Sequence, residues 1–189
     1  MRDKKVKILG VGLNKTGTTS VTKALDILGY KCLHNHELIT AKYRNNELPG
    51  LIDKYDFLCD GFCYTHMLQF LSENYPDAVF LCTQRPMEDW IISRTIHDLH
   101  ARVCWPIVGR NRHIDTKMYE EIFYQHQQDI QTYLIDKGRN VFDLIVPQLN
   151  WKVLCDIFDK PIPKQKFPHG NTGEYKLKQI IKKRSENGK

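Results

Sequence analysis

The six cysteines, at 32, 59, 63, 82, 104 and 155, include no C-x-x-C pair, so nothing marks a disulfide framework. Cys59, Cys82 and Cys155 lie inside apolar runs and read as small buried hydrophobes, reduced in a cytosol-like compartment. No stretch reaches the roughly 18 uninterrupted apolar residues of a membrane span, and none is expected. The opening MRDKKVKILG has no apolar signal-peptide core, so the expected location is cytoplasmic. There is no internal repeat and no dividing linker, which implies a single domain over residues 1–189. Basic residues are not interleaved with aromatics, so the net charge of +6 does not argue for a nucleic-acid partner. It does favour an anionic ligand. With 41% hydrophobic and 26% charged residues, the chain is long enough and apolar enough for a real core.

Strands and helices alternate along the chain. Residues 5–11 predict a strand, and Val21, Ala24, Leu25 and Leu28 recur at helical spacing until Gly29 stops them. YKCLH (30–34) predicts a second strand, and 35–54 a helix plus a loop closing at Pro49-Gly50. Residues 56–59 predict a buried strand, 64–74 a helix, 78–84 the clearest strand, and Met87 onward a long helix behind Pro86. Residues 104–115 read as a loop, 116–136 as a polar helix, 140–146 as a strand and 148–158 as a helix. Three prolines and a basic terminal helix follow, read by default as a solvated face. The alternation implies an α/β fold of three layers, with a central parallel sheet of about four to five strands flanked by helices. Ligands bind such sheets at the carboxyl ends of strands. That edge collects Lys15, Asp60 and Arg85.

GVGLNKTGTTS (10–20) links the first strand to the first helix. The triphosphate loop reads G-x-x-x-x-G-K-[ST], its lysine on the outer phosphates and its hydroxyl on magnesium. Gly12, Gly17 and Thr19 fit that spacing, but Thr18 stands at the lysine position and Lys15 lies two residues before Gly17. Backbone amides of 16–20 at a helix N-terminus, with hydroxyls of Thr16, Thr18, Thr19 and Ser20, suit one phosphate better than a magnesium-bridged triphosphate. The plainer alternative is a hydroxyl-rich helix cap.

The loop resembles the 5′-phosphosulfate loop of the P-loop sulfotransferase family, which uses 3′-phosphoadenosine 5′-phosphosulfate (PAPS). TQRPMEDWIISR (83–94) is similar to the family's 3′-phosphate segment. LNWKVLCDIFDKPIPKQKFPHGN (149–171) is similar to the ending of one bacterial and eukaryotic branch, which includes a trematode drug-activating sulfotransferase. The three blocks occur in order from 8 to 171.

The resemblance implies a sulfuryl transfer from PAPS, leaving 3′,5′-adenosine bisphosphate (PAP), with no metal required. It assigns Asn14, Lys15, Thr16, Gly17, Thr18, Thr19 and Ser20 to the 5′ side, and Arg85 and Ser93 to the 3′-phosphate. Arg85 and Ser93 stand about two helical turns apart, roughly 12 Å, which an arginine side chain can close. Lys15 is placed to stabilise the bridging oxygen of the leaving nucleotide. The acceptor's proton needs a base, for which Asp60 and His66 compete, and Asp60 also reads as a helix cap. Trp90 and Trp151 match family positions as packing residues. The family's C-terminal basic-glycine element has no match, which leaves the tail or Arg110 and Arg112 as candidates for the rest of the 3′-phosphate site.

The resemblance implies a hydroxyl or amine acceptor, small-molecule or sugar-like, whose identity the sequence does not give. Tyr64, His97, His100, Trp105 and Tyr124 are the expected lining of its pocket. HNHE (34–37) has the look of a metal site without a distant partner ligand. Two other functions stay open: a P-loop kinase or nucleoside triphosphatase, and a PAPS- or PAP-binding protein without catalysis. Oligomeric state has no signature in the sequence.

Overall fold

The computed structural model describes residues 6–60, 62, 65–104, 114–170 and 173–187. Five strands form one sheet: β1 (Ile8–Gly10), β2 (Cys32–His34), β3 (Phe57–Cys59), β4 (Val79–Gln84) and β5 (Asn140–Ile145). Their order is β2-β3-β1-β4-β5, and every pairing is parallel. Gly10 is in register with Cys59 on one side and Leu81 on the other, and His34 with Cys59. The carboxyl ends of β1, β2 and β3 therefore finish at one level, with β4 running three residues further. The chain leaves β1 toward one edge and later builds the other. Ligands bind above such a reversal.

The period of two decides the layers. Leu9, Val11, Leu58, Phe80 and Cys82 face one side, against α2 (His36–Arg44), α3 (Leu48–Ile52) and α4 (Thr65–Asn74). Ile8, Phe57, Cys59, Leu81 and Leu144 face the other, against α1 (Thr18–Ile27) and α7 (Trp151–Phe158). α5 (Met87–Cys104), α6 (Thr116–Ile130) and α8 (Gly173–Asn187) complete the helices among the described residues. Each buried Leu, Ile or Phe contributes about 1.5–3 kcal/mol by leaving water. This is the α/β three-layer fold expected from the strand–helix alternation.

α1 buries Val21, Ala24 and Leu25 on one face and ends at Gly29, whose φ of 89° carries the left-handed turn after the helix. α7 starts later than the spacing suggests, because Asn150 caps it by accepting from the Val153 amide at 3.1 Å.

Three expectations are corrected. Residues 35–54 hold two helices, and Pro49-Gly50 lies inside α3 rather than in a closing loop. Proline is tolerated in a first turn, and burial of Leu48, Leu51 and Ile52 outweighs the weak propensity. The helix from 116 stops being α-helical at Ile130 and widens into a π-turn over Gln131–Ile135. There the Tyr133 carbonyl accepts the Ser72 hydroxyl, whose oxygen accepts from Arg139 Nε at 3.1 Å. The basic terminal helix is docked on α5: Ile180 is buried, and His100 Nε2 meets Gln179 Oε1. The predicted loop at 104–115 lies almost wholly outside the described residues, as does Cys63.

Cys59, Cys82 and Cys155 are buried, and burial raises all three thiols, Cys82 to about 12. Cys32, Cys59, Cys82, Cys104 and Cys155 are all unbridged. Among the described residues no helix is long and apolar enough to cross a membrane.

Candidate functional site

The loop after β1 is held from behind. Gly12 lies so close to β4 that a Cβ there would fall on the Thr83 hydroxyl and backbone, so only glycine lets the chain pass. Thr16 is buried, with its hydroxyl donating to the Leu13 carbonyl and meeting Thr83 Oγ1 at 2.6 Å. Trp90 Nε1 donates to the Asn14 carbonyl at 2.8 Å, and Arg94 Nη1 donates to Asn14 Oδ1 at 2.9 Å. Arg94 is fixed in turn by buried Asp98, at 2.8 Å, which also accepts the Tyr119 hydroxyl. Asn14 and Thr16 thus spend their side chains on the shape of the loop.

The front of the loop is open. Lys15 has φ 70° and Gly17 φ 92°, a left-handed pair that turns the chain into α1. A left-handed lysine costs about 1–2 kcal/mol, and such strain gathers at functional sites. No side chain caps α1, which leaves its first amides to an outside anion.

Those amides face a cleft of about 330 Å³. Lys15, Gly17, Thr18, Thr19 and Ser20 form its floor; Asp60 stands at the end of β3, with Arg85 and Ser93 beyond β4. The sequence-predicted site residues therefore converge, except Asn14 and Thr16 behind the loop and His66 elsewhere. Arg85 takes part in no ion pair among the described residues, so none of them makes a strand-end salt bridge with it. His66 is exposed on α4 and lines a second cavity with His36, Thr40, Tyr43 and Arg44.

Five lining residues had no individual role in this cleft from the sequence: His34, Val146, His169, Gly170 and Lys176, the last only part of the basic tail. His34 leaves β2 beside Asp60. Its Nδ1 lies 3.6 Å from Asp60 Oδ2, and its Nε2 lies 3.1 Å from Thr18 Oγ1 and 3.4 Å from Thr19 Oγ1. His36 Nδ1 donates to the Asp60 carbonyl at 3.0 Å. Asp60 itself has φ 76°, so two non-glycine residues of this cleft are left-handed. His34 and His36 of HNHE thus serve the carboxylate and the loop, Asn35 caps α2 by accepting from the Leu38 amide, and no metal-binding group occurs among the described residues.

His169 and Gly170 arrive on the stretch after α7. Trp151 Nε1 donates to the Gln165 carbonyl at 2.6 Å, its ring packs edge-on against Phe167 at 5.1 Å, and Phe167 packs on His169. Gly170 N donates to Ser20 Oγ at 3.0 Å, where a Cβ would come within 2.8 Å of the Thr19 side chain. Trp90 and Trp151 are buried packing residues, each spending its indole N–H on a backbone carbonyl.

Lys176 comes from α8, hydrogen-bonded to His97 Nδ1 at 3.0 Å. Burial and the neighbouring Lys176 charge push Lys15 down from 10.5 to about 8, against the pull of Asp60. Lys176 is lowered as well, chiefly by burial. Two cations facing each other in a half-dry cleft call for an anion between them. Of the expected acceptor lining, His97 backs Lys176, His100 is buried against α8 and Tyr124 is exposed; Tyr64 and Trp105 lie outside the described residues, as do Arg110 and Arg112.

Comparison with known proteins agrees with this geometry. The sulfotransferase domain family matches residues 7–96 and 91–175. Ava biosynthesis cluster protein M of Aspergillus versicolor is 24% identical over 215 aligned residues, covering 87% of this chain and 80% of that protein. Because the family match runs through the loop, the β4–α5 segment and the stretch that carries His169, the chain belongs to the sulfotransferase domain family.

Proposed function

We propose that the protein is a PAPS-dependent sulfotransferase that moves a sulfuryl group to a hydroxyl or amine of a small-molecule or sugar-like acceptor, in the cytoplasm. The observation that carries this reading is the convergence of Lys15, the α1 N-terminus, Asp60, Arg85 and Ser93 in one cleft. PAPS supplies the sulfuryl group and departs as PAP. The residues fit it: an uncapped helix N-terminus with hydroxyls of Thr18, Thr19 and Ser20 suits the 5′ end, and the guanidinium of Arg85 with Ser93 suits the 3′-phosphate. Asn14, Thr16 and Gly17 act by fixing the loop.

The transfer is an in-line displacement at sulfur. A new bond forms from the acceptor oxygen to sulfur as the bond from sulfur to the bridging oxygen breaks. The electron pair of that bond goes to the bridging oxygen, where Lys15 neutralises the charge. The acceptor's proton passes to the Asp60 carboxylate, held by His34. Asp60 is preferred to His66 because it lines the same cleft as Lys15. The positive charge is supplied by lysines and backbone amides, so the reading requires no metal.

The test is transfer of labelled sulfate from PAPS to a panel of alcohols and amines. Wild-type protein transfers label, and Lys15→Ala slows transfer by about 100-fold or more, the scale of losing one electrostatic stabiliser. A Lys15→Ala protein as fast as wild type contradicts the mechanism.

A further inference from the structure

An in-line displacement fixes the side from which the acceptor comes: opposite the leaving oxygen. Arg85 and Ser93 hang from β4 and α5 on one side of β1, whereas Asp60 and His34 hang from β3 and β2 on the other. With the nucleotide anchored on the β4 side, the acceptor approaches over β3 and β2.

On that side lies the second cavity, about 380 Å³, between α2 and α4. Such a volume suits a small ligand. His36 belongs to its wall and also donates to the Asp60 carbonyl at 3.0 Å, so this cavity abuts the residue assigned as base. Its lining is specific. Tyr43 and His66 hold their rings 5.2 Å apart, with Phe70 edge-on behind Tyr43 at 5.5 Å. Thr40 Oγ1 is buried and has no hydrogen-bond partner among the described residues, a state that costs about 1–3 kcal/mol until a partner is found. Arg44, exposed, belongs to the same lining and takes part in none of the ion pairs among the described residues.

The geometry points to this cavity as the acceptor subsite, taking a flat hydroxylated aromatic that carries an anionic substituent. The inference rests on the sulfuryl-transfer reading and adds the substrate class. The ring lies against Tyr43 and His66, a polar group meets Thr40, the carboxylate meets the Arg44 fork, and the hydroxyl faces Asp60.

The experiment uses the full chain saturated with PAP and measures binding of 4-hydroxyphenylacetate and of neutral 4-methylphenol by calorimetry. The acid binds more tightly than the phenol. Arg44→Ala weakens the acid about tenfold, erases that preference and leaves PAP affinity unchanged. Thr40→Val, nearly isosteric, weakens 3,4-dihydroxyphenylacetate, whose second hydroxyl meets Thr40, and leaves 4-methylphenol unchanged. Initial rates of labelled sulfate transfer follow the same order through KM. If the acid binds no better than 4-methylphenol, or if Arg44→Ala leaves its affinity unchanged while PAP binds, the subsite assignment is overturned. Failure of wild-type protein to bind PAP at all overturns the sulfuryl-transfer reading beneath it.

Discussion

His34 Nδ1 lies 3.6 Å from Asp60 Oδ2 while Nε2 of the same ring reaches Thr18 Oγ1 at 3.1 Å, so one imidazole links the assigned base to the phosphate loop. The ring braces a left-handed Asp60 on one side and the start of α1 on the other. His34→Gln keeps a polar group for Thr18 but loses the partner of the carboxylate. It is expected to lower kcat about tenfold, the scale of one close polar contact to a carboxylate, with PAP affinity within a few-fold of wild type. Steady-state kinetics with parallel PAP calorimetry check this. Equal kcat would remove His34 from the mechanism.

Lys15 makes the cleft pH-sensitive. Its folded value, about 8, lies below the ordinary 10.5. Between those values the unfolded chain holds the proton and the folded chain does not, so this group's contribution to stability rises with pH across that window. At pH 7 the buried charge is destabilising, and Lys15→Met should melt higher than wild type, the gap closing toward pH 10. Ligand reverses the pull, because an anion favours charged Lys15. PAP binding should therefore weaken as pH rises above about 8 and should take up protons there. Calorimetry in buffers of different ionisation enthalpy measures the uptake, which Lys15→Met reduces and Lys176 keeps from vanishing.

The stretch that seals the loop depends on Trp151. Trp151→Phe keeps an aromatic ring near Phe167 but leaves the Gln165 carbonyl without its indole donor. The expected loss is about 1–3 kcal/mol, a Tm decrease of about 2–10 °C for a chain of this size, with weaker PAP binding because His169 and Gly170 are displaced from Thr19 and Ser20. Thermal melts with and without PAP separate the two effects.

Much of this site was legible in the sequence because strand ends share an edge in a parallel sheet. That rule alone brought Lys15, Asp60 and Arg85 together. The loop motif was legible as a unit, but a contiguous run does not say which side chains face forward. Asn14 is taken by Arg94 and Thr16 by Thr83, partners 80 and 67 residues away. His34 was missed because its role depends on β2 lying beside β3, and strand order is set by tertiary packing. Lys176 could be offered only as part of the basic tail, because any one lysine there looks solvated. What docks that helix is Ile180 and the His100–Gln179 bond, neither of which makes a periodic pattern.

The most direct test of the central claim is calorimetry of the whole chain with PAP, with and without magnesium. The account predicts tight binding that magnesium does not change and that Arg85→Ala weakens by about 100-fold, the scale of losing a forked phosphate contact. Binding and thermal stabilisation by ATP with magnesium, with no response to PAP, would contradict it.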